Sequence, residues 1–193
     1  MNKRIDRRTF VKTAAAGSLA AASLPIFGMT TLADDDEADG SRIYVFVAFS
    51  QAPPALTLAQ PRIGMTGAGS FKPSAKRVNG GGSYVLFDNA ATMPKPLVAS
   101  GRWRATKFVS YTTLGLASYG TIQPGILTMT ADVEGIGKKL TLTLICNVGA
   151  VPLSTGQPEG WVLSGTPYGT FRPTTPIVGI THLSVEGFRI GGD

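Results

Sequence analysis

The chain predicts an all-β fold, an antiparallel β-sandwich or closed β-barrel preceded by a cleavable signal peptide. Three observations carry that expectation. Glycine (24) and proline (13) supply a large share of the 193 residues, and as the poorest helix formers they exclude a helical bundle or coiled coil. Apolar residues make up 43% and the mean hydropathy is +0.14, so the chain has the material for a core and is no disordered segment. Period-two alternation recurs along its length, bounded by turn residues, as half-buried strands require. The length suits one globular domain.

Residues 1–33 read as an address. Lys3, Arg4, Arg7, Arg8 and Lys12 precede an Ala-rich apolar run over 13–27, and Thr31-Leu32-Ala33 supplies a small-residue cleavage site. This is the three-part layout of an export signal. Gly17 and Pro25 interrupt the apolar run, which is too short to cross a bilayer of about 30 Å. The segment Asp6-Arg7-Arg8-Thr9-Phe10-Val11-Lys12 resembles the twin-arginine signal, with Arg7, Arg8, Phe10 and Lys12 in the motif positions. Asp6 and Val11 depart from its usual Ser/Thr and Leu. The resemblance implies the twin-arginine translocase as export partner and an extracytoplasmic destination, periplasmic or secreted, after cleavage near Ala33. With no Cys beside the cleavage site, neither a lipoprotein anchor nor another stable membrane anchor is expected.

Residues 34–41 form an acidic linker carrying Asp34, Asp35, Asp36, Glu37 and Asp39, a solvated tip that keeps the cleavage site open. The β-domain spans 42–193. Of the 18 Lys/Arg and 12 Asp/Glu, residues 1–33 hold five and one, so the mature chain keeps 13 against 11, a net charge of +2. With no recognised binding motif, that small excess argues against a nucleic-acid partner.

Strands are expected at 42–49, 55–58, 67–71, 83–88, 97–111, 126–133, 139–148, 160–164 and 181–188. The clearest alternation places Leu140, Leu142, Leu144, Cys146 and Val148 on one face and Thr141, Thr143 and Asn147 on the other. Leu127, Met129, Ala131 and Val133 form the matching face of 126–133, and Gly135 and Gly137 join the two as a hairpin. Turns are expected at 51–54, 72–74, 79–82, 93–96, 123–125 and 154–158. Gly67-Ala68-Gly69-Ser70-Phe71 echoes Gly80-Gly81-Gly82-Ser83-Tyr84, which reads as two strands of one hairpin sharing glycine chemistry.

Catalytic constellations are scarce. His182 is the single histidine and Cys146 the single cysteine, so no intramolecular disulfide and no zinc cluster can form. On a strand His182 and Glu186 stand roughly 13 Å apart, too far to share a metal. Asp132 and Glu134 need a cross-strand partner before they can act as an acid/base pair, and read as hairpin-end solvation. Neither a metal nor a cofactor is expected. The one unusual stretch is 101–111, where Arg102, Arg104 and Thr106 share a face and Trp103, Ala105, Val109 and Tyr111 share the other. Lys107 falls on the apolar side, which a β-bulge would correct. Arg102, Trp103, Arg104 and Lys107 are the candidate ligand-binding residues: guanidinium forks for an anionic group and a ring for an apolar part.

Residues 67–71, 80–84, 101–106 and 146–150 resemble segments of secreted bacterial proteins of an uncharacterised family, a likeness that implies no activity. The Gly-rich strands are also similar to those in barrels of the dirigent and allene oxide cyclase type, in which a closed barrel encloses an apolar substrate. The expected function is an exported, non-enzymatic β-domain binding a small molecule or a surface. The alternative is a cofactor-free barrel enzyme of the cyclase or isomerase type. An enclosed cavity with Lys107 or an Arg inside would favour the enzyme, and a filled core the binding domain.

Overall fold

Alternation becomes nine strands in the computed structural model, which describes residues 41–89, 94–114, 122, 124–147 and 158–185. They are β1 (Arg42–Gln51), β2 (Arg62–Lys72), β3 (Arg77–Phe87), β4 (Leu97–Thr113), β5 (Gly125–Val133), β6 (Gly137–Cys146), β7 (Gly160–Thr166), β8 (Gly169–Pro173) and β9 (Gly179–Val185). No helix occurs among the described residues. The expected signal motif at Arg7, Arg8, Phe10 and Lys12, the expected cleavage region and the acidic run lie outside the described residues, as do 186–188 of the last expected strand.

Each strand pairs antiparallel with the next from β1 to β8. The ring closes on β1, whose second edge pairs with β8 at Ser50 and Gln51 and with β9 from Arg42 to Ala48. β8 and β9 thus act in line as one interrupted eighth strand. The result is a closed eight-stranded antiparallel barrel, and the sandwich alternative drops out. Closure removes the bare edges that an open sheet would present.

The alternating residues fill the barrel. Tyr44, Phe46, Ile63, Met65, Phe71, Leu86, Leu127, Met129, Leu142, Leu144, Trp161 and Phe171 all point inward and are almost wholly shielded from solvent. In β5 and β6 the expected inward residues from Leu127 to Val133 and from Leu140 to Cys146 are buried, Ile145 is buried as well, and Val148 lies outside the described residues. The interior is apolar and the outer wall of β4–β6 carries Arg, Lys and Thr, the reverse of a channel-forming membrane barrel.

Three expectations are corrected. Residues 55–58 form part of a loop with Leu56 fully exposed, closed by a bond from the Ala55 N–H to the Leu58 carbonyl. The glycines of 79–82 lie inside β3 rather than in a turn. The short strand β8 was missed. The glycine echo does resolve into one hairpin: Gly67 pairs with Gly82, Ala68 with Gly81 and Gly69 with Gly80. This thin wall admits large rings from elsewhere. A methyl at Gly67 would come within 2.2 Å of the Trp103 ring and 2.7 Å of Phe46, and one at Gly69 within 2.6 Å of the Tyr44 hydroxyl. Ring size on the flanking strands β1 and β4 requires glycine in the hairpin between them.

Where the eighth strand is interrupted, side chains replace ladder bonds. The Glu159 carboxylate accepts from the N–H of Asn147, just after β6, and from the N–H of Thr181 in β9 at 2.8 Å. Ser50 donates to the Trp161 carbonyl at 2.8 Å, and the Trp161 indole to the Ala48 carbonyl at 3.1 Å. Burial pushes the Glu159 carboxyl above the ordinary range, and the two backbone donors oppose that shift.

Candidate functional site

Strand β4 carries all four candidate residues, and two register irregularities decide where they point. Through Arg104 the alternation is regular: Arg102 and Arg104 face solvent and Trp103 faces the core. Pairing with β5 then shifts between Ala105 and Lys107 and again between Phe108 and Ser110. The first bulge turns Lys107 outward and Phe108 inward; the second exposes Val109 and returns Tyr111 to the inner side.

Trp103 is a core residue here. It is buried against Phe46, ring centroids 5.6 Å apart, and its indole N–H donates to the Thr66 carbonyl at 2.8 Å. Both its apolar body and its polar handle are satisfied within the protein. Arg102 and Arg104 flank it on the outer wall.

Beside them the β5–β6 turn folds over the wall. Gly135 takes a positive φ of 69°, which lets the chain reverse, and the Ile136 N–H reaches the Val133 carbonyl. The Glu134 N–H donates to the Arg102 carbonyl, and the Arg102 N–H to the Glu134 carboxylate at 3.2 Å, tying the turn to β4. The Tyr84 hydroxyl adds a bond to the Glu134 carbonyl, and burial together with the Glu134 charge raises its pKa above the usual phenol value.

Asp132 organises the rim. It lies opposite Arg104 in the ladder, pairs with that guanidinium at 3.2 Å and accepts from the Lys139 N–H at 2.9 Å. The backbone donor, followed by Arg104, holds its carboxyl below the ordinary range. The same bond fixes Lys139 at φ 54°, a conformation uncommon for a side-chain-bearing residue.

These elements enclose an open cleft of about 740 Å³, lined by Arg102, Trp103, Arg104, Asp132 and residues 133–138. Its floor is mostly apolar, with Val133 and Ile136; Arg102, Arg104 and Lys138 set positive charge around it against Asp132 and Glu134. Three of the four sequence candidates therefore meet at one place, while Lys107 stands on the outer wall beyond the bulge and does not line the cleft. The chain reading missed the contribution of Asp132, Glu134 and Lys138. Their role depends on the β4–β5 register, which only the cross-strand pair Arg104–Asp132 makes visible. His182 sits on the outer face opposite Val45, away from this cleft. No protein-family model, curated protein or solved structure matches the chain.

Proposed function

We propose that the mature chain is an exported, non-enzymatic β-domain that holds a small anionic ligand with an apolar portion in the cleft beside β4. One observation carries the reading: an apolar floor ringed by Arg102, Arg104 and Lys138 lies on the outside of a barrel whose interior is already occupied by side chains. A cyclase-type barrel enzyme requires space for its substrate inside, and here that space holds Trp161, Tyr44 and Phe46. The arginine forks suit carboxylate or phosphate, and the floor suits an aliphatic or aryl group.

The test is a thermal-shift screen of anionic amphiphilic metabolites against wild type and an Arg102→Ala/Arg104→Ala variant. Ligands that stabilise wild type should lose their effect on the variant; equal stabilisation of both places the site elsewhere. Export by the twin-arginine route rests on the Asp6–Lys12 motif and on the likeness to secreted bacterial proteins. Arg7→Lys with Arg8→Lys should abolish export while a block of the general secretory channel leaves it intact, and continued export of the double variant defeats that assignment.

A further inference from the structure

Between Arg42 and Phe87 the chain has five basic residues, Arg42, Arg62, Lys72, Lys76 and Arg77, and no acidic one. The barrel gathers four of them at the end opposite the β5–β6 turn. Arg42 pairs with Phe71, Phe71 with Val78, and Lys72 with Arg77, so these positions sit on three neighbouring strands about 4.8 Å apart. Lys76 follows in the connecting turn. Lys107, turned outward by its bulge, lies three residues beyond the last β3–β4 pair, Gly81–Arg104, in the direction of Val78. Lys76, Arg77 and Lys107 are exposed. The side chains of Lys72, Lys76, Arg77 and Lys107 make no hydrogen bond or ion pair with described residues, whereas Arg104 is paired with Asp132.

The platform is stiff. Pro73 fixes one side of the turn, the Lys76 N–H closes it on the Pro73 carbonyl at 3.1 Å, and Arg42 is stacked over the Tyr111 ring, 4.8 Å from its centroid. Each exposed cation gains little from a single anion, because water and salt screen the pair. Only a partner that meets several at once is held.

We propose that this basic end, formed by the β2–β3 turn with Arg42 and Lys107, binds an acidic polysaccharide chain. A row of point charges on adjacent strands suits a polymer bearing carboxylate or sulfate groups along its length. A bilayer fits less well, because Pro73, Ser74 and Ala75 at the tip offer no large apolar side chain to insert. Single-stranded nucleic acid fits less well too, because Phe71 is buried and Tyr111 lies under Arg42, so neither of these rings is open to a stacking base. This surface is distinct from the cleft beside β4 and stands or falls without it.

The experiment measures binding of the full chain to immobilised heparin and to polygalacturonate at increasing salt. The variant is Lys72→Ser/Lys76→Asn/Arg77→Ser; asparagine at 76 tolerates the φ of 50° found there. Wild type should bind in a salt-sensitive manner and the triple variant about ten-fold more weakly. Lys72→Arg/Lys76→Arg and Arg102→Ala/Arg104→Ala should both bind as wild type, which separates this surface from the cleft and from any folding defect. Equal binding by wild type and the triple variant overturns the proposal. So does tighter binding to phosphatidylglycerol vesicles or to an oligothymidylate than to either polysaccharide.

Discussion

Two walls of the barrel solve the same packing problem in opposite ways. In the β5–β6 hairpin the inward positions beyond Gly125 carry their own side chains: Leu127, Met129, Leu140, Leu142 and Leu144 are all buried, with threonine on the outer face between them. In the β2–β3 hairpin, Gly67, Gly69, Gly80 and Gly82 leave a recess, which Tyr44, Phe46 and Trp103 enter from other strands. The first wall stores its contribution to the core locally. The second stores it in residues far away in sequence, and its stability is a matter of shape rather than of hydrophobic content.

The largest effect should come from the first wall. Leu142→Ala removes buried methyl groups and leaves a cavity, so chemical denaturation should report a loss of about 2–5 kcal/mol. A loss no greater than that of an outward residue would mean the register is other than described. Gly67→Ala adds a single methyl to the second wall and should cost about 1–3 kcal/mol, because the Trp103 and Phe46 rings must move. The coupling sharpens the contrast. Combined with Trp103→Phe, which vacates the contacted part of the ring, the same alanine should cost measurably less than it does alone. Strict additivity would show that the glycine acts through its backbone and not through the ring.

The seam at Glu159 belongs to neither wall, and pH should single it out. Its carboxyl is raised by burial, so between the unfolded value, about 4.3, and the higher folded one the native state holds a proton that the unfolded chain lacks. Stability from this group therefore falls as pH rises through that window and is greatest below it. Asp132 has the opposite sign: its lowered value supplies stability above the unfolded carboxyl range, lost as pH falls through the folded value. Melting temperatures measured across the window should decline with pH in wild type more steeply than in Glu159→Gln. Parallel curves would remove the seam carboxylate from the account. The smallest effect belongs to Thr143→Ala, within about 0.5 kcal/mol, since that side chain faces outward and its bond to the Thr128 hydroxyl is a long 3.3 Å.

The same contrast explains what could be read from the chain. Alternation in 126–133 and 139–148 located the hairpin and its buried set, because each residue there contacts its ladder neighbours. Glycine at 79–82 was ambiguous between a turn and a close approach, and the deciding atoms belong to Trp103 and to the facing β2 backbone, distant in sequence. Residues 55–58 alternate yet lie in a loop, since nothing covers Leu56. β8 escaped notice because only five residues, ending in Pro173, form it. For the site, the outward parity of Arg102 and Arg104 was legible, and a lysine on the apolar side called for the bulge that the structure places between Ala105 and Lys107; the second shift, which exposes Val109, had no such polar residue to mark it.

Closure through β1 has a consequence for how the molecule forms. The meander from β1 to β8 pairs strands adjacent in the chain, but closure comes from the short β1–β8 contact at Ser50 and Gln51 and from the bonds between β1 and β9, which join the first described strand to the last. A growing chain can therefore build the meander step by step and still expose two unpaired strand edges until residues 179–185 have been made. Contacts between chain ends are the slow ones, and bare edges invite pairing with other chains. Truncation inside β9 would leave most of the core residues present and the first strand without its second neighbour.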